Sequence, residues 1–474
     1  MQAPNHAAAA AGKKPSFYFA GICGTAMASA AVALKNQGYT VTGSDTNIYP
    51  PMSDFLASHG IEPLPGYHEK NLQSQKPDWV VIGNALSRGN PEVEYVLRER
   101  LPYTSLPELL KNHFIRGKRS LVVCGTHGKT TTTSLLAWVF EHNGFNPSYL
   151  IGGIPPNLGQ GARFTDSPWF IIEGDEYDTA FFDKRSKFIH YCPEVAILNN
   201  LEFDHADIFE NLAAVKKTFR HLIQTVPSNG LVLCNGEDQN LREITRDVRF
   251  CPVKRFGFGA ENDFRAAHIT HENGGSSFEL LGVTYSTPTL AGDFNVRNAL
   301  GVASCALHCG LTPAQIQSAF LTFKGIRRRM EVFGVKSGVT LIDDFGHHPT
   351  AIAQTLAALR QRYPSQRIWA AFEPRSNTTR RNVFQQELAE ALGSADGVAI
   401  SAIAREDQLA PEERLDVGKL VLQIQKDRQI PAAHFAEVPS IVEWLCKQVK
   451  PGDVISVFSN GKFGGIHRLL MEAL

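Results

Sequence analysis

A three-domain α/β protein is predicted for this 474-residue chain, on three observations. The length fits roughly three domains of about 150 residues each. Short apolar strand segments alternate with helical stretches along the whole chain, the pattern of parallel sheets covered by helices. Two strand–glycine turn–helix units, opening at Ser16 and at Ser120, belong to doubly wound sheets, which place ligands at the carboxyl ends of their strands.

In the first block a strand from Ser16 to Ala20 enters the turn Gly21-Ile22-Cys23-Gly24-Thr25. An Ala-rich helix then runs to about Gln37, where Gly38 ends it. Tyr39 to Gly43 reads as a second strand closing on Ser44-Asp45, and Trp79 to Ile82 as another ending at Gly83-Asn84-Ala85. The turn is a weak nicotinamide fingerprint, because Cys23 and Ala26 occupy the second and third glycine positions. Asp45 stands at the distance expected of a ribose-binding acid, which suits other nucleotides equally well.

The second block begins with the strand Ser120 to Cys124 and a helix from Lys129 to about Asn143, terminated by Gly144. Trp169 to Ile172 and Val195 to Leu198 are further strands, and 257–289 holds many turn residues between alternating segments. After Gly325 a third block places Val339 to Ile342 before Asp343-Asp344, a helix over Thr350 to Arg362, and strands at Arg367 to Phe372, Gly397 to Ser401 and Val454 to Phe458.

Composition narrows the function classes. Lys plus Arg and Asp plus Glu both total 47, so the formal net charge is zero, which argues against a general nucleic-acid binder. Hydrophobic residues at 43% and charged residues at 20% can fill sizeable cores. The eight cysteines include no C-x-x-C pair, and Cys305 and Cys309 sit four apart on an apolar helix, so a reducing compartment is expected. Met1 to Pro15 is Ala-rich and then basic at Lys13-Lys14, the reverse of a signal peptide. No run approaches the roughly 18 apolar residues that span a bilayer. A disordered tail over 1–15 and a cytoplasmic location are the expectations.

The strongest chemical signal is Gly125-Thr126-His127-Gly128-Lys129-Thr130. Glycines turn backbone N–H groups toward phosphate oxygens, and the following helix N-terminus favours negative charge. Lys129 can neutralise terminal phosphates and Thr130 can ligate magnesium. Strict Walker spacing asks for Gly at 123, where Val123 stands, so the loop is a shortened variant. Glu173-Gly174-Asp175-Glu176-Tyr177-Asp178 follows an apolar strand and is either a magnesium-holding strand end or a solvated acidic loop. In Asn199-Asn200-Leu201-Glu202-Phe203-Asp204-His205, His205 is a metal ligand or a loop histidine. Asp343-Asp344-Phe345-Gly346-His347-His348-Pro349 can bind a metal or form a polar turn. Arg327-Arg328-Arg329 can face solvent or phosphate.

Together with Gly292-Asp293-Phe294-Asn295-Val296-Arg297-Asn298, these motifs resemble, in order and over nearly the whole chain, the Mur ligases of bacterial cell-wall assembly. The acid-His-His turn is similar to that of members using UDP-N-acetylmuramate. Phe181 to Phe188, Phe372-Glu373-Pro374-Arg375-Ser376-Asn377-Thr378 and Ser459-Asn460-Gly461-Lys462-Phe463-Gly464-Gly465-Ile466-His467 look more like a member accepting a recycled tripeptide than one adding free L-alanine.

The resemblance implies a Rossmann-like UDP-sugar domain over 16–117, a central P-loop ATPase domain over 118–325 and a Rossmann-like peptide-binding domain over 326–474. It implies ATP-dependent joining of UDP-N-acetylmuramate to the murein tripeptide L-Ala-γ-D-Glu-meso-diaminopimelate through an acyl phosphate, with Mg2+. Lys129, Glu173 and His205 become catalytic, and Thr130, Glu173 and His205 the metal set. ATP falls to Gly125, Thr126, His127, Gly128, Lys129, Thr130, Thr131, Asn295, Arg329, Asp344 and His347. The sugar nucleotide falls to Gly21, Cys23, Gly24, Thr25, Ser44, Asp45 and Asn84, and the peptide to Arg375, Ser376, Asn377 and Asn460. Phe294 departs from a common His, and Phe345 from a common Tyr. Lys216 or Lys217 lies where some relatives carboxylate a lysine, with an ordinary helix-surface lysine as the other reading. The L-alanine-adding ligase is the nearest alternative. A P-loop ATPase driving motion or transport, or a nucleotide sensor, is the alternative of another class.

Overall fold

The computed structural model describes residues 14–474 apart from Pro51 and Asn273. The tail expected over 1–15 therefore lies almost wholly outside the described residues.

Five parallel strands form the first sheet: β1 (Ser16–Ala20), β2 (Thr40–Asp45), β3 (Leu64–Pro65), β4 (Trp79–Ile82) and β5 (Tyr103–Ser105), in the order β3-β2-β1-β4-β5. The order reverses on either side of β1, which opens a crevice at its carboxyl end. The helix that follows, α1 (Thr25–Asn36), lies close to the sheet because Ala28, Ala30 and Ala31 are fully buried. The second strand runs two residues past the expected Gly43, so Ser44 and Asp45 belong to the sheet.

The central sheet has ten strands in the order β17-β16-β15-β14-β13-β12-β6-β9-β7-β8. They are β6 (Arg119–Cys124), β7 (Ser148–Leu150), β8 (Ala162–Arg163), β9 (Trp169–Glu173), β12 (Val195–Leu198), β13 (Leu231–Asn235), β14 (Val253–Gly257), β15 (Phe264–Glu272), β16 (Gly275–Leu280) and β17 (Val283–Thr287). A separate hairpin pairs β10 (Asp178–Ala180) with β11 (Asp183–Ser186). Strand β6 lies between β12 and β9 at the middle of the parallel region, and its apolar run Leu121 to Cys124 is fully buried, as a strand covered on both faces requires. The turn-rich stretch 257–289 becomes an antiparallel meander, β15-β16-β17, whose alternate residues are buried and exposed. Helix α2 (Lys129–His142) leaves β6, and α3 (Asp293–His308) packs beside it through Val296, Ala299, Leu300 and Ala303.

The third sheet follows the order β18-β19-β23-β20-β21-β22, with only the edge strand β18 (Glu331–Lys336) antiparallel. Its parallel strands are β19 (Val339–Asp344), β20 (Ile368–Phe372), β21 (Gly397–Ser401), β22 (Ala432–Phe435) and β23 (Val454–Phe458), and helix α4 (Pro349–Arg362) follows β19. Among the described residues no helix is long and apolar enough to cross a membrane.

The spacing of β6 from β9 sets the geometry of the carboxyl edge. A Cβ on Gly174 would lie 2.2 Å from Cys124 Sγ and 3.0 Å from Val122 Cγ1. Only glycine lets the acidic segment pass this close to the strand feeding the phosphate loop. Gly174→Ala should therefore cost about 1–3 kcal/mol by overpacking, read as a lower denaturant midpoint. An unchanged midpoint would show that the strands separate freely.

Candidate active site

Carboxyl ends from all three sheets converge on one cavity of about 1190 Å³. Residues 126–131 of the phosphate loop line its floor. Gly128 caps α2 with φ +77°, and a Cβ there would meet Asn298 Oδ1 at 2.6 Å, so the tight turn excludes any side chain. Its neighbour Lys129 curls back onto the loop: Nζ donates to Gly125 O at 2.7 Å and to both oxygens of Glu176 at 2.9 Å. Burial works against the ammonium, but the carboxylates of Glu176, Asp175 and Glu173 together outweigh it and raise the Lys129 pKa. The lysine stays charged.

Thr130 Oγ1 donates to Glu173 Oε1 at 2.9 Å, while Gly152 N donates to Glu173 Oε2 at 2.7 Å. Burial raises the Glu173 pKa despite these donors and Lys129. His205, held in the left-handed region at φ +57°, places Nε2 3.0 Å from Glu176 Oε1. Its ring packs on Tyr177 with centroids 4.2 Å apart. Burial lowers the His205 pKa, and the hydrogen bond and charge of Glu176 more than restore it. The hydroxyl of Thr130 and the carboxylates of Glu173 and Glu176 are the hard oxygen donors that suit Mg2+, with the His205 imidazole at their edge. Thr130 Oγ1 and Glu173 Oε1, 2.9 Å apart, are the donors of this group that meet directly, while both Glu176 oxygens are taken by Lys129.

Glu176 belongs to a motif visible in the sequence, but nothing in its spacing sets it apart from Glu173. Glu202 is likewise not set apart within its own motif. It packs beneath the loop, where Glu202 N donates to Thr126 Oγ1 at 2.9 Å and Oε2 lies 3.0 Å from His127 Nε2. Burial opposes its ionisation, but His127 and His348 hold the Glu202 pKa down to about 2.

Of the other expected nucleotide residues, Gly125 lies outside the cavity lining. Thr126, His127, Thr131, Asn295, Arg329, Asp344 and His347 all line the cavity. Arg329 sits over the Phe345 ring, 5.0 Å from its centroid, so the residue replacing tyrosine supplies a cation–π face. The two oxygens of Asp344 accept Gly346 N at 2.7 Å and Met330 N at 2.8 Å, which fixes the linker beside Arg329. Asn295 Nδ2 donates inward to Ala291 O at 2.9 Å, and Phe294 lines the wall. Lys216 is paired with Glu243 at 2.5 Å, and the cavity lining includes neither it nor Lys217. This favours the helix-surface reading.

At the first sheet Gly24, Thr25 and Asn84 face the cavity. Gly21 N donates to Ser44 O at 2.9 Å and Cys23 N to Asp45 Oδ2 at 2.9 Å. Ser44 and Asp45, expected at the sugar nucleotide, lie outside the cavity lining. Ser44 is fully buried with its hydroxyl on Glu92 Oε2 at 2.7 Å, and the Asp45 oxygens accept Cys23 N and Asn47 N. The Asp45 carboxylate thereby braces the glycine turn from below.

The four expected peptide residues lie outside the cavity lining, after β20 and β23. Ser376 is buried against Thr379 Oγ1 at 2.7 Å, and Asn377 Nδ2 donates across to Asp207 at 2.8 Å. Both polar side chains thus have protein partners. Arg375 remains half-exposed with a long 3.4 Å contact to Glu373, and Asn460 Oδ1 is buried without a partner.

Three family profiles match this arrangement in order: "Mur ligase family, catalytic domain" over residues 16–117, "Mur ligase middle domain" over 123–306 and "Mur ligase, glutamate ligase domain" over 328–461. The chain belongs to the Mur ligases. A Haemophilus influenzae protein named UDP-N-acetylmuramate–L-alanyl-gamma-D-glutamyl-meso-2,6-diaminoheptandioate ligase is 45% identical over 459 residues, covering 96% of this chain and 98% of that protein. A Geobacter sulfurreducens UDP-N-acetylmuramate–L-alanine ligase is 34% identical, covering 95% of this chain and 96% of that one. The crystal structure of a murein peptide ligase from Psychrobacter arcticus superposes with a TM-score of 0.70 at 34% identity, covering 97% of this chain and 98% of that chain. As a Mur ligase the chain is an amide-forming, ATP-dependent enzyme.

A pH dependence of stability follows from the His-His turn. Burial, reinforced by His127, pushes the His348 pKa down to about 4, and its Nδ1 accepts Thr350 N at 3.2 Å as the cap of α4. An unfolded histidine takes its proton near pH 6.5. The unfolded chain therefore binds more protons as pH falls from 6.5 toward 4, and the folded state loses stability over that window. His348→Asn, which keeps a cap acceptor, should flatten the fall in unfolding temperature between about pH 6.5 and 4.5. Equal slopes in both proteins would contradict the assignment.

Proposed function

We propose that this Mur ligase joins the lactyl carboxylate of UDP-N-acetylmuramate to the free amine of L-Ala-γ-D-Glu-meso-diaminopimelate, consuming ATP, in cytoplasmic peptidoglycan recycling. The observation that supports the reaction type is the buried Lys129 at the phosphate loop, paired with Glu176 and flanked by Thr130 and Glu173. The acceptor is supported by the nearly full-length likeness to the tripeptide ligase, at higher identity than to the L-alanine ligase.

A carboxylate is a poor acyl donor because oxide would have to leave. Attack of the lactyl oxygen on the γ-phosphorus of ATP forms a carboxyl–phosphate bond as the bond to ADP breaks. Lys129 and the loop amides hold the charge on the transferring group. Thr130, Glu173 and His205 would hold magnesium, which when bound neutralises phosphate charge. The tripeptide amine then attacks the acyl carbon, phosphate leaves, and the amine's proton passes to a base. His127, Thr131, Asn295, Arg329, Asp344 and His347 would position ATP. Gly21, Cys23, Gly24, Thr25 and Asn84 would hold the sugar nucleotide, and Arg375 and Asn460 the peptide. Arg375 presents the planar fork that suits carboxylate recognition.

The deciding assay supplies UDP-N-acetylmuramate, ATP and either the tripeptide or L-alanine. Product with the tripeptide is expected. Product with L-alanine alone would reassign the enzyme. Lys129→Ala should abolish ligation, with a loss of at least about a thousandfold, while UDP-sugar binding measured by calorimetry persists. Near-normal turnover would remove the loop from the chemistry. Arg375→Ala should raise the tripeptide KM roughly tenfold or more with the ATP KM unchanged. An unchanged peptide KM would count against that contact.

A further inference from the structure

The segment after β12 is a seam between the phosphate loop and the third domain. On one side it holds the loop. Asn200 Oδ1 accepts His127 N at 2.8 Å, Thr126 Oγ1 accepts Glu202 N at 2.9 Å, and Glu202 Oε2 lies 3.0 Å from His127 Nε2. On the other side the same Glu202 Oε2 accepts Thr350 Oγ1 at 2.8 Å, from the first turn of α4. His348 Nε2 lies 3.2 Å from Phe203 O, and the His127 and His348 rings pack with centroids 4.4 Å apart. One carboxylate oxygen thus touches a side chain of the phosphate loop and a side chain of the C-terminal domain at once.

We propose that Glu202 is a positioning residue that couples the phosphate loop to closure of the C-terminal domain. The inference rests on the ligase function proposed above. Its physical basis is geometric. The Glu202 backbone is tied to Thr126, and its Oε2 meets His127 of the loop and Thr350 of the C-terminal domain together. Thr350 follows the turn that carries Asp344 and His347, both on the cavity wall. Loss of the bridge lets that wall stand away from the loop, while Thr126 stays tied to the backbone N–H of residue 202. A misplacement of this kind lowers turnover more than binding.

Four variants test it: Glu202→Ala, Glu202→Gln, Thr350→Val and the double Glu202→Ala/Thr350→Val. Glu202→Ala should lower kcat roughly tenfold or more, the scale of a charge-assisted hydrogen bond, with the ATP KM within about twofold. Thr350→Val should lower kcat in the same sense, and the double variant should fall no further than Glu202→Ala alone. Glu202→Gln, which keeps an acceptor oxygen for Thr350, should recover part of kcat. Small-angle scattering with ATP and UDP-N-acetylmuramate should show compaction in the wild type and less in Glu202→Ala, a readout that needs no peptide. Multiplicative losses in the double variant, wild-type turnover in Thr350→Val, or equal compaction of all proteins would overturn the coupling. Absence of amide formation by the wild type would instead sink the proposed function, with scattering still reporting on the coupling.

Discussion

The site is organised around a buried ion pair. Lys129 begins α2, where the helix already presents positive partial charge, and its side chain is largely removed from water. An ammonium placed there is costly unless a carboxylate meets it. Glu176, only 3% exposed, supplies both oxygens and also faces His205. That demand explains the local architecture. Gly174 lets the acidic segment pass against β6, and Ser186 Oγ on the following hairpin donates to Glu176 O at 2.6 Å. His205 adopts a left-handed backbone to close the third side.

Around this pair the three domains contribute different chemistry to one volume. The first sheet brings a glycine turn braced from below by Asp45, the central sheet brings the phosphate loop, and the third brings Asp344, His347 and the linker. Arg328 ties that linker to the third sheet, with Nε 3.0 Å from Asp343 Oδ2 and Nη2 donating to Ser459 O at 2.7 Å. Adjacent Arg329 is left to face the cavity. Bringing a carboxylate, a triphosphate and an amine together with little water is what this arrangement is fit to do, because excluding water keeps hydrolysis from competing with the amine for an acyl phosphate.

Local features were legible in the sequence. The phosphate loop declares itself through glycines whose backbone requirement is met within six residues, and strands such as Val195–Leu198 and Val454–Phe458 fall where their apolar runs predicted. What sequence did not expose was partnership. Which carboxylate of the 173–178 cluster reaches Lys129 depends on how β9 passes β6, so Glu176 could not be separated from Asp175 or Glu173. Glu202 and Thr350 are 148 positions apart and meet only across a domain boundary. Ser44, Ser376 and Asn377 have residue types that suit ligands, but folding turns their polar atoms toward Glu92, Thr379 and Asp207. Side-chain direction at a strand end is a tertiary property.

The central claim is that the phosphate loop activates a carboxylate by phosphoryl transfer. It is tested most directly by preparing UDP-N-acetylmuramate with heavy oxygen in the lactyl carboxylate and following the label during ligation to the tripeptide. One labelled oxygen should appear in inorganic phosphate for each amide formed, because the carboxylate oxygen that attacks phosphorus leaves with it. Amide formation with all phosphate unlabelled would contradict the account.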